Sequence, residues 1–238
     1  MKIGFLSDAH GNHLAVAGCI RLLRDEGVDS IYFLGDAVGY LPGERAVLQL
    51  LREHRVHCQK GNHEAMLLGD LPLVPKEDDV YRIERVRHRL SSEDREFIAS
   101  WPESRVVCFE GRKILLVHGS PNNHLEGYIY PDSDLSAFDH LEHDCVFMGH
   151  THHPFAAQRQ RMLVVNVGSC GISRDQGDLL SCAVYDSTTG GCEILRLRMP
   201  AWKIINHFGE ENIPQEVQRV LVRQASKPIV GKVIEGSI

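Results

Sequence analysis

The chain has 238 residues, 43% of them hydrophobic and 24% charged, which suits a folded globular protein with a sizeable core and excludes a disordered chain. Its formal net charge of -6 is mild and its 26 Lys and Arg residues are scattered, so neither duplex nucleic acid nor an anionic membrane is an expected partner. A single phosphate group remains bindable, because bound dications override the overall sign locally.

Seven cysteines (Cys19, Cys58, Cys108, Cys145, Cys170, Cys182 and Cys192) form no CxxC pair and are odd in number. Reduced thiols in the cytoplasm are the expectation. The N-terminal apolar run turns polar by Ser7, too early for a signal peptide. No apolar stretch approaches the ~20 residues of a spanning helix.

In chain order, Ile3 to Leu6 is a strand, Ser7 to Asn12 a polar loop, and Leu14 to Leu23 a helix closing at Gly27. Ser30 to Leu34 repeats the strand signal before Gly35-Asp36, and a helix follows from about Gly43 to His54. Arg55 to Gln59 is a shorter strand ending at Gly61-Asn62-His63-Glu64. From about 65 to 112 the charges are dense and helical patterns dominate, with helices over Tyr81 to Leu90 and over Glu93 to Ser100, the latter capped by Ser92. This segment reads as a helical insertion over or beside the site.

Strand signals resume at Lys113 to Val117, Cys145 to Met148 and Met162 to Asn166. A hairpin over Leu180 to Tyr185 and Cys192 to Leu197 turns at Thr189-Gly190-Gly191. The expected organisation is one α/β catalytic domain over 1–200 and a C-terminal extension over 201–238. Its helix runs from about Pro214 to Ser226, as an appendage or a contact between subunits in a homo-oligomer.

Chemistry enters through position. Asp8 and His10, Asp36, Asn62 and His63, His118, and His150 and His152 each follow closely on the end of an apolar run. In open α/β sheets the loops beyond the carboxyl ends of the strands converge on one edge. Imidazole nitrogens mixed with carboxylate and amide oxygens suit borderline divalent ions, and without a thiolate a structural zinc site is disfavoured. Asp36 is suited to bridge two ions ~3.5–4 Å apart. His150 and His152 alternate, so an extended loop would send them to opposite sides, one toward each ion. His13, His54, His57, His88, His140, His143, His153 and His207 read as ordinary histidines.

Asp8-Ala9-His10-Gly11-Asn12, Gly35-Asp36-Ala37-Val38-Gly39, Gly61-Asn62-His63-Glu64, His118-Gly119 and Gly149-His150-Thr151-His152 resemble the motif series of the calcineurin-like metallophosphoesterases. The resemblance runs from residue 3 to about residue 186, with Asn166-Val167-Gly168-Ser169 similar to that family's last site loop. It implies a four-layer αββα sandwich of two mixed β-sheets flanked by helices. It also implies Asp8, His10, Asp36 and His152 on one divalent ion, and Asp36, Asn62, His118 and His150 on the other, with Mn²⁺ foremost and Fe, Ni, Zn or Mg as alternatives. His63 is expected beside the substrate phosphate, off the metals, to stabilise charge or to protonate the leaving oxygen as general acid. Asn12, grouped with His63 and Asp36 as catalytic, and Gly168 and Ser169 are expected substrate contacts.

The implied reaction is hydrolysis of a phosphodiester or phosphomonoester, small-molecule or nucleotide, by hydroxide from a bridging water whose pKa the two ions lower. One departure matters. Protein Ser/Thr phosphatases of this superfamily continue the second motif as GDxxDRG, and here Gly39 and Tyr40 stand where the aspartate and arginine would be. The chain thus looks more like the compact bacterial and archaeal phosphodiesterase-like branch. The alternatives are a dinucleoside polyphosphate hydrolase or protein phosphatase and, from another class, a non-catalytic scaffold.

Overall fold

Side chains on successive strand residues point to opposite faces, and that alternation assigns the buried residues to three hydrophobic layers. The computed structural model describes residues 1–224 and 226–235. In the first sheet, β1 (Lys2–Leu6) lies between β2 (Ser30–Phe33) and β9 (Leu179–Asp186), with the short β3 (His57–Cys58) beyond β2. On the other side β10 (Gly191–Arg198) follows β9, and β11 (Lys232–Glu235) forms the edge. The second sheet runs β4 (Ser104–Phe109), β5 (Arg112–Val117), β6 (Cys145–Met148), β8 (Met162–Asn166) and β7 (Phe155–Arg159). Both are mixed: β1, β2 and β3 are parallel while β1 and β9 are antiparallel, and β5, β6 and β8 are parallel between antiparallel edges.

Ile3, Phe5, Tyr32 and Leu34 of the first sheet face Ile114, Leu116, Phe147 and Val165 of the second, and the Phe5 and Phe147 rings stack at 4.0 Å. Leu6, Ile31, Phe33, Leu180 and Cys182 face the other way, against helices α1 (His13–Asp25) and α2 (Glu44–Glu53) and those that follow. On the outer face of the second sheet, Val117, Val146, Met148 and Val164 are covered by Phe138 of a single 3₁₀ turn and by flanking irregular chain. The αββα expectation holds, with its fourth layer reduced to that turn.

Residues 62–99 form α3 (Asn62–Leu68), α4 (Pro75–Tyr81), α5 (Ile83–Arg89) and α6 (Ser92–Ala99). The helix expected over Tyr81 to Leu90 is two, broken at Arg82, whose φ of 61° is left-handed. Ser91, not Ser92, caps α6, in a reciprocal capping box with Asp94. The insertion also ends sooner than residue 112: the apolar run Val106 to Phe109 belongs to β4, an edge strand half-buried or exposed along its length. The edge strands β7 and β11 are more polar in sequence and are half-buried or exposed at most positions.

The C-terminal segment belongs to the main core. Ile204 and Phe208 of α7 (Ala201–Phe208), with Val217 and Leu221 of α8 (Gln215–Leu221), are buried in the cluster that contains α1, and β11 pairs in parallel with β10. These apolar side chains are used within the chain, whereas Trp202, Val222, Ile229 and Val230 of the same segment are exposed. Residue 225, inside the expected Pro214 to Ser226 helix, and residues 236–238 of the extension lie outside the described residues. Arg196, fully buried, anchors this end of the sheet through a two-point ion pair with Asp175 (2.7 and 2.8 Å) and bonds to Ser173 and the Leu179 carbonyl.

Candidate metal centre and its surroundings

Asp8 and His10 follow β1, Asp36 follows β2, Asn62 and His63 open α3 after β3, His118 follows β5, and His150 and His152 follow β6. These are the carboxyl ends of parallel strands from both sheets, so the loops meet over the seam between them. Backbone strain is concentrated there. Of ten non-glycine residues with positive φ among the described residues, six are Asp8, His10, Asp36, Tyr40, His150 and His152.

The ligand atoms form three overlapping groups: Asp8, His10 and His152; Asp36, His118 and His150; and His10, Asp36 and His63. Asp36 Oδ2 lies 3.6 Å from His10 Nε2 and 3.4 Å from His118 Nε2, between the first two groups. Asp8 Oδ1 lies 3.2 Å from His152 Nε2, and Asn62 Oδ1 3.0 Å from His118 Nε2. His150 and His152 do fall into different groups, but not through an extended loop. Both have left-handed backbone (φ 66° and 60°), and the turn, not strand alternation, separates them.

Three imidazoles are aimed by carbonyl groups. His10 Nδ1 donates to the Val38 carbonyl (3.2 Å), His118 Nδ1 to Leu34 (2.9 Å) and His152 Nδ1 to Ile172 (2.6 Å). A carbonyl only accepts, so a proton sits on each Nδ1 and each Nε2 is the atom that faces the centre, with its lone pair free in the uncharged ring. The Nε2 atoms of His10 and His152 then face one another at 3.0 Å without a proton between them, and His150 Nε2 is buried without a partner. Converging lone pairs and carboxylates in a dry site repel, and a cation among them removes the conflict. The donor set fits divalent metal.

For Asp8 and Asp36, burial alone would raise the pKa, but the surrounding imidazoles, His152 for Asp8 and His118 and His63 for Asp36, hold both carboxyls well below their usual range. Burial, then His118, drives His150 down to about 3, and burial also lowers His10. Burial would lower His118 as well, but the charge and hydrogen bond of Asp36, then the charge of Asp8, outweigh it and raise it to about 9.

His63 is buried, its backbone N–H donates to Asp36 Oδ1 (2.9 Å), and its Nε2 lies 3.9 Å from Asp36 Oδ2. Its Nδ1 has no partner. In place of an orienting carboxylate the ring is boxed by His10, Tyr40 and Tyr81, with centroids 4.6, 5.1 and 4.7 Å away. Gly39 makes that box habitable: a Cβ there would lie 2.3 Å from His63 Nδ1, and its φ is +92°. Burial lowers the His63 pKa, with Asp36 opposing, so the uncharged ring is its resting form. An arriving phosphate oxyanion favours the imidazolium again.

Three expected substrate contacts have other work. Asn12 accepts from Ala15 N–H as the cap of α1 and donates to the Gly171 carbonyl (2.8 Å), which uses both ends of its amide. Ser169 Oγ donates to the Asp8 carbonyl (2.7 Å) and accepts from Gly171 and Ile172 N–H, positioning a ligand from behind. Gly168 packs against Pro154 and Ser181, and its N–H donates to Asn166 Oδ1. Asn166 in turn donates to the Gly149 carbonyl and Thr151 Oγ1, holding the loop that carries His150 and His152.

Other residues at the centre carried no individual signal. The buried Glu64 carboxylate accepts backbone N–H bonds from Gly61, Asp36, Ala37 and Val38 (2.7 to 3.3 Å), tying α3 to the Asp36 loop. Burial and the Asp36 charge push its pKa up, and these N–H donors oppose the rise. Tyr81, Tyr128 and Arg174 line the recess over the cluster. Arg174 Nη2 donates to the Tyr40 hydroxyl (3.2 Å), so a guanidinium reaches the site from the loop after β8, although Tyr40 displaced the one expected in the second motif.

Comparison with known proteins agrees with this geometry. Residues 1–190 match the model of the calcineurin-like phosphoesterase superfamily domain. The chain belongs to that superfamily. As a member it is a metal-dependent phosphate ester hydrolase, and its His and Asp groups are able to hold metal. An uncharacterized protein of Methanocaldococcus jannaschii is 24% identical over 230 residues, covering 90% of this chain and 94% of its own. The phosphodiesterase YfcE of Escherichia coli K12 is 25% identical over 189 residues, covering 73% and 82%. Among solved structures, a hypothetical protein of Pyrococcus horikoshii superposes with a TM-score of 0.81 at 21% identity, covering 93% of this chain and 98% of that one. A metallophosphoesterase of Sphaerobacter thermophilus gives 0.77 at 24% over the same shares. Both share the fold. Among the described residues no helix is long and apolar enough to cross a membrane.

Proposed function

We propose that this phosphoesterase works with two divalent ions, Mn²⁺ foremost, on a small-molecule or nucleotide phosphodiester or phosphomonoester. The observation that carries the reading is the cluster itself: converging imidazole lone pairs and two carboxylates, buried and fixed from behind, with Asp36 between the two groups. Asp8, His10, Asp36 and His152 would hold one ion, and Asp36, Asn62, His118 and His150 the other. When bound, the pair supplies an acidified water as nucleophile and neutralises charge on the phosphate.

The chain's own groups do the rest. The three carbonyl-anchored imidazoles keep the ligand lone pairs aimed without reorganisation, and Glu64 keeps Asp36 and α3 in register. His63, at the rim of the cluster, takes up a proton as phosphate binds and delivers it from a ring nitrogen to the departing alkoxide. Cysteines that all remain free support a cytoplasmic location.

The test is hydrolysis of p-nitrophenyl phosphate and of its bis ester with Mn²⁺, Ni²⁺ or Mg²⁺, alongside His63→Ala. Turnover that needs metal and is lost in His63→Ala with metal retained supports the reading. Folded protein that cleaves neither ester with any of the three metals refutes it.

A further inference from the structure

A cavity of about 740 Å³ opens beside the cluster and shares His152, Tyr40 and Arg174 with its surroundings. One wall is α4, through Val80 and Tyr81, and the other is α8, through Val217 and Val220. The two segments that looked accessory in the sequence, the insertion and the C-terminal extension, thus close on the same space. The volume falls within the ~300–1,000 Å³ of small-molecule sites, and the lining combines an apolar and aromatic part (Val80, Tyr81, Ile172, Val217, Val220) with charged groups that include Lys76, Arg174 and Arg223.

Its polar floor is specific. Arg174 is half-buried, forms no ion pair with a carboxylate among the described residues, and is steadied by the Tyr40 hydroxyl. The Tyr40 ring is 4.4 Å from His10 and 5.1 Å from His63, so the guanidinium stands one side chain away from the reacting phosphate. Arg223 of the facing segment, hydrogen-bonded to the Arg174 carbonyl, adds a second cation at the mouth, where the exposed Glu77 and Glu216 also lie. Such a site takes an ester whose organic group is flat and apolar and carries hydrogen-bonding or anionic groups.

We infer that the cavity between α4 and α8 binds the organic group of the substrate, that the substrate is of the nucleotide class, and that Arg174 marks the junction between its phosphate and its nucleoside. This rests on the phosphoesterase reading above and deepens it. The flat base lies between Tyr81 and the valines of α8, and the phosphate reaches the cluster past Tyr40.

Two p-nitrophenyl esters with the same leaving group test it: the ester of thymidine 5′-phosphate and methyl p-nitrophenyl phosphate. The parent chain is expected to favour the nucleoside ester at least ten-fold in kcat/KM, and Val220→Trp, which fills the cavity, to cut that preference at least ten-fold through KM. Val80→Trp repeats the test from the opposite wall if the first variant fails to fold. Calorimetry with AMP gives a readout without turnover, with binding to the parent weakened at least ten-fold by either tryptophan.

No preference in the parent, or an unchanged preference in a folded tryptophan variant, overturns the inference. So does a loss confined to Tyr128→Ala, which would seat the base on the exposed, stacked Tyr128–Tyr130 pair instead. If neither ester is cleaved, the catalytic reading fails, and AMP binding alone decides the cavity: lost in the tryptophan variants it stands, and absent in the parent it falls.

Discussion

Gly39→Ala should cripple catalysis by moving His63 while leaving the metal ligands in place. The added Cβ would stand 2.3 Å from His63 Nδ1, 2.9 Å from its Cε1 and 3.0 Å from the Tyr81 carbonyl oxygen. To regain ordinary contact the ring must retreat by about 1 Å, and a misplacement of that size costs about 10²-fold in rate. The backbone adds a penalty of about 1–2 kcal/mol, because φ at this position is +92°. At about 2–4 °C per kcal/mol for a chain near this size, melting should fall by about 4 °C. The assay is kcat/KM on bis-p-nitrophenyl phosphate for the parent, Gly39→Ala, His63→Ala and the double variant, with metal content measured in each. His63→Ala should lose about 10²–10⁴-fold. The double variant should be no slower than His63→Ala within two-fold, since the glycine acts only through the ring. A Gly39→Ala enzyme within three-fold of the parent, or losses that multiply in the double variant, would refute the reasoning.

Glu64→Gln keeps the shape but turns an amide NH₂ toward backbone N–H groups that now have an acceptor, so thermal melts should show about 2–3 kcal/mol of destabilisation. Asp175→Asn strands the buried Arg196 charge and should cost about 3 kcal/mol at pH 7 in urea unfolding. The pH dependence has a definite sign. Burial pushes the Asp175 pKa up but Arg196 outweighs it, so the folded value is depressed, and its contribution is full above the unfolded pKa of about 3.9 and lost as pH falls through the folded value. The gap between parent and Asp175→Asn should therefore shrink in urea titrations at pH 3; a constant gap contradicts the assignment. Leu221→Ala, at a site 1% exposed, should cost about 2–5 kcal/mol by the same method, whereas a detachable C-terminal appendage would leave the stability of the main body unchanged.

The site was legible in the sequence because its ligands sit on apolar runs. Each central strand is buried on both faces, so β1, β2, β5, β6 and β8 read as unbroken hydrophobic stretches, and the polar residue after each had to lie in a loop at the sheet edge. The edge strands β7 and β11 are half-buried or exposed at most positions and lack that contrast, whereas β4 is apolar from Val106 to Phe109 but directly follows the charged helical segment. Long-range partners were less accessible still. Nothing in the run from Ser169 to Arg174 announces that Ser169 supports Asp8 from behind or that Arg174 meets Tyr40, 134 positions away. Asn12 has a second role of the same kind: a residue beside two ligands invites a catalytic reading, but it also opens a helix, and its side chain caps that helix. Gly39 looked like a lost carboxylate in sequence and is a space for an imidazole in three dimensions.

Two ions held by one cluster can be counted directly. Titrating the metal-free chain with Mn²⁺ and reading the free ion by its electron paramagnetic resonance signal should give two bound per chain, falling below one in Asp36→Asn, since Asp36 lies between both groups. A parent that saturates at one ion or none, or an Asp36→Asn variant that still binds two, would contradict it.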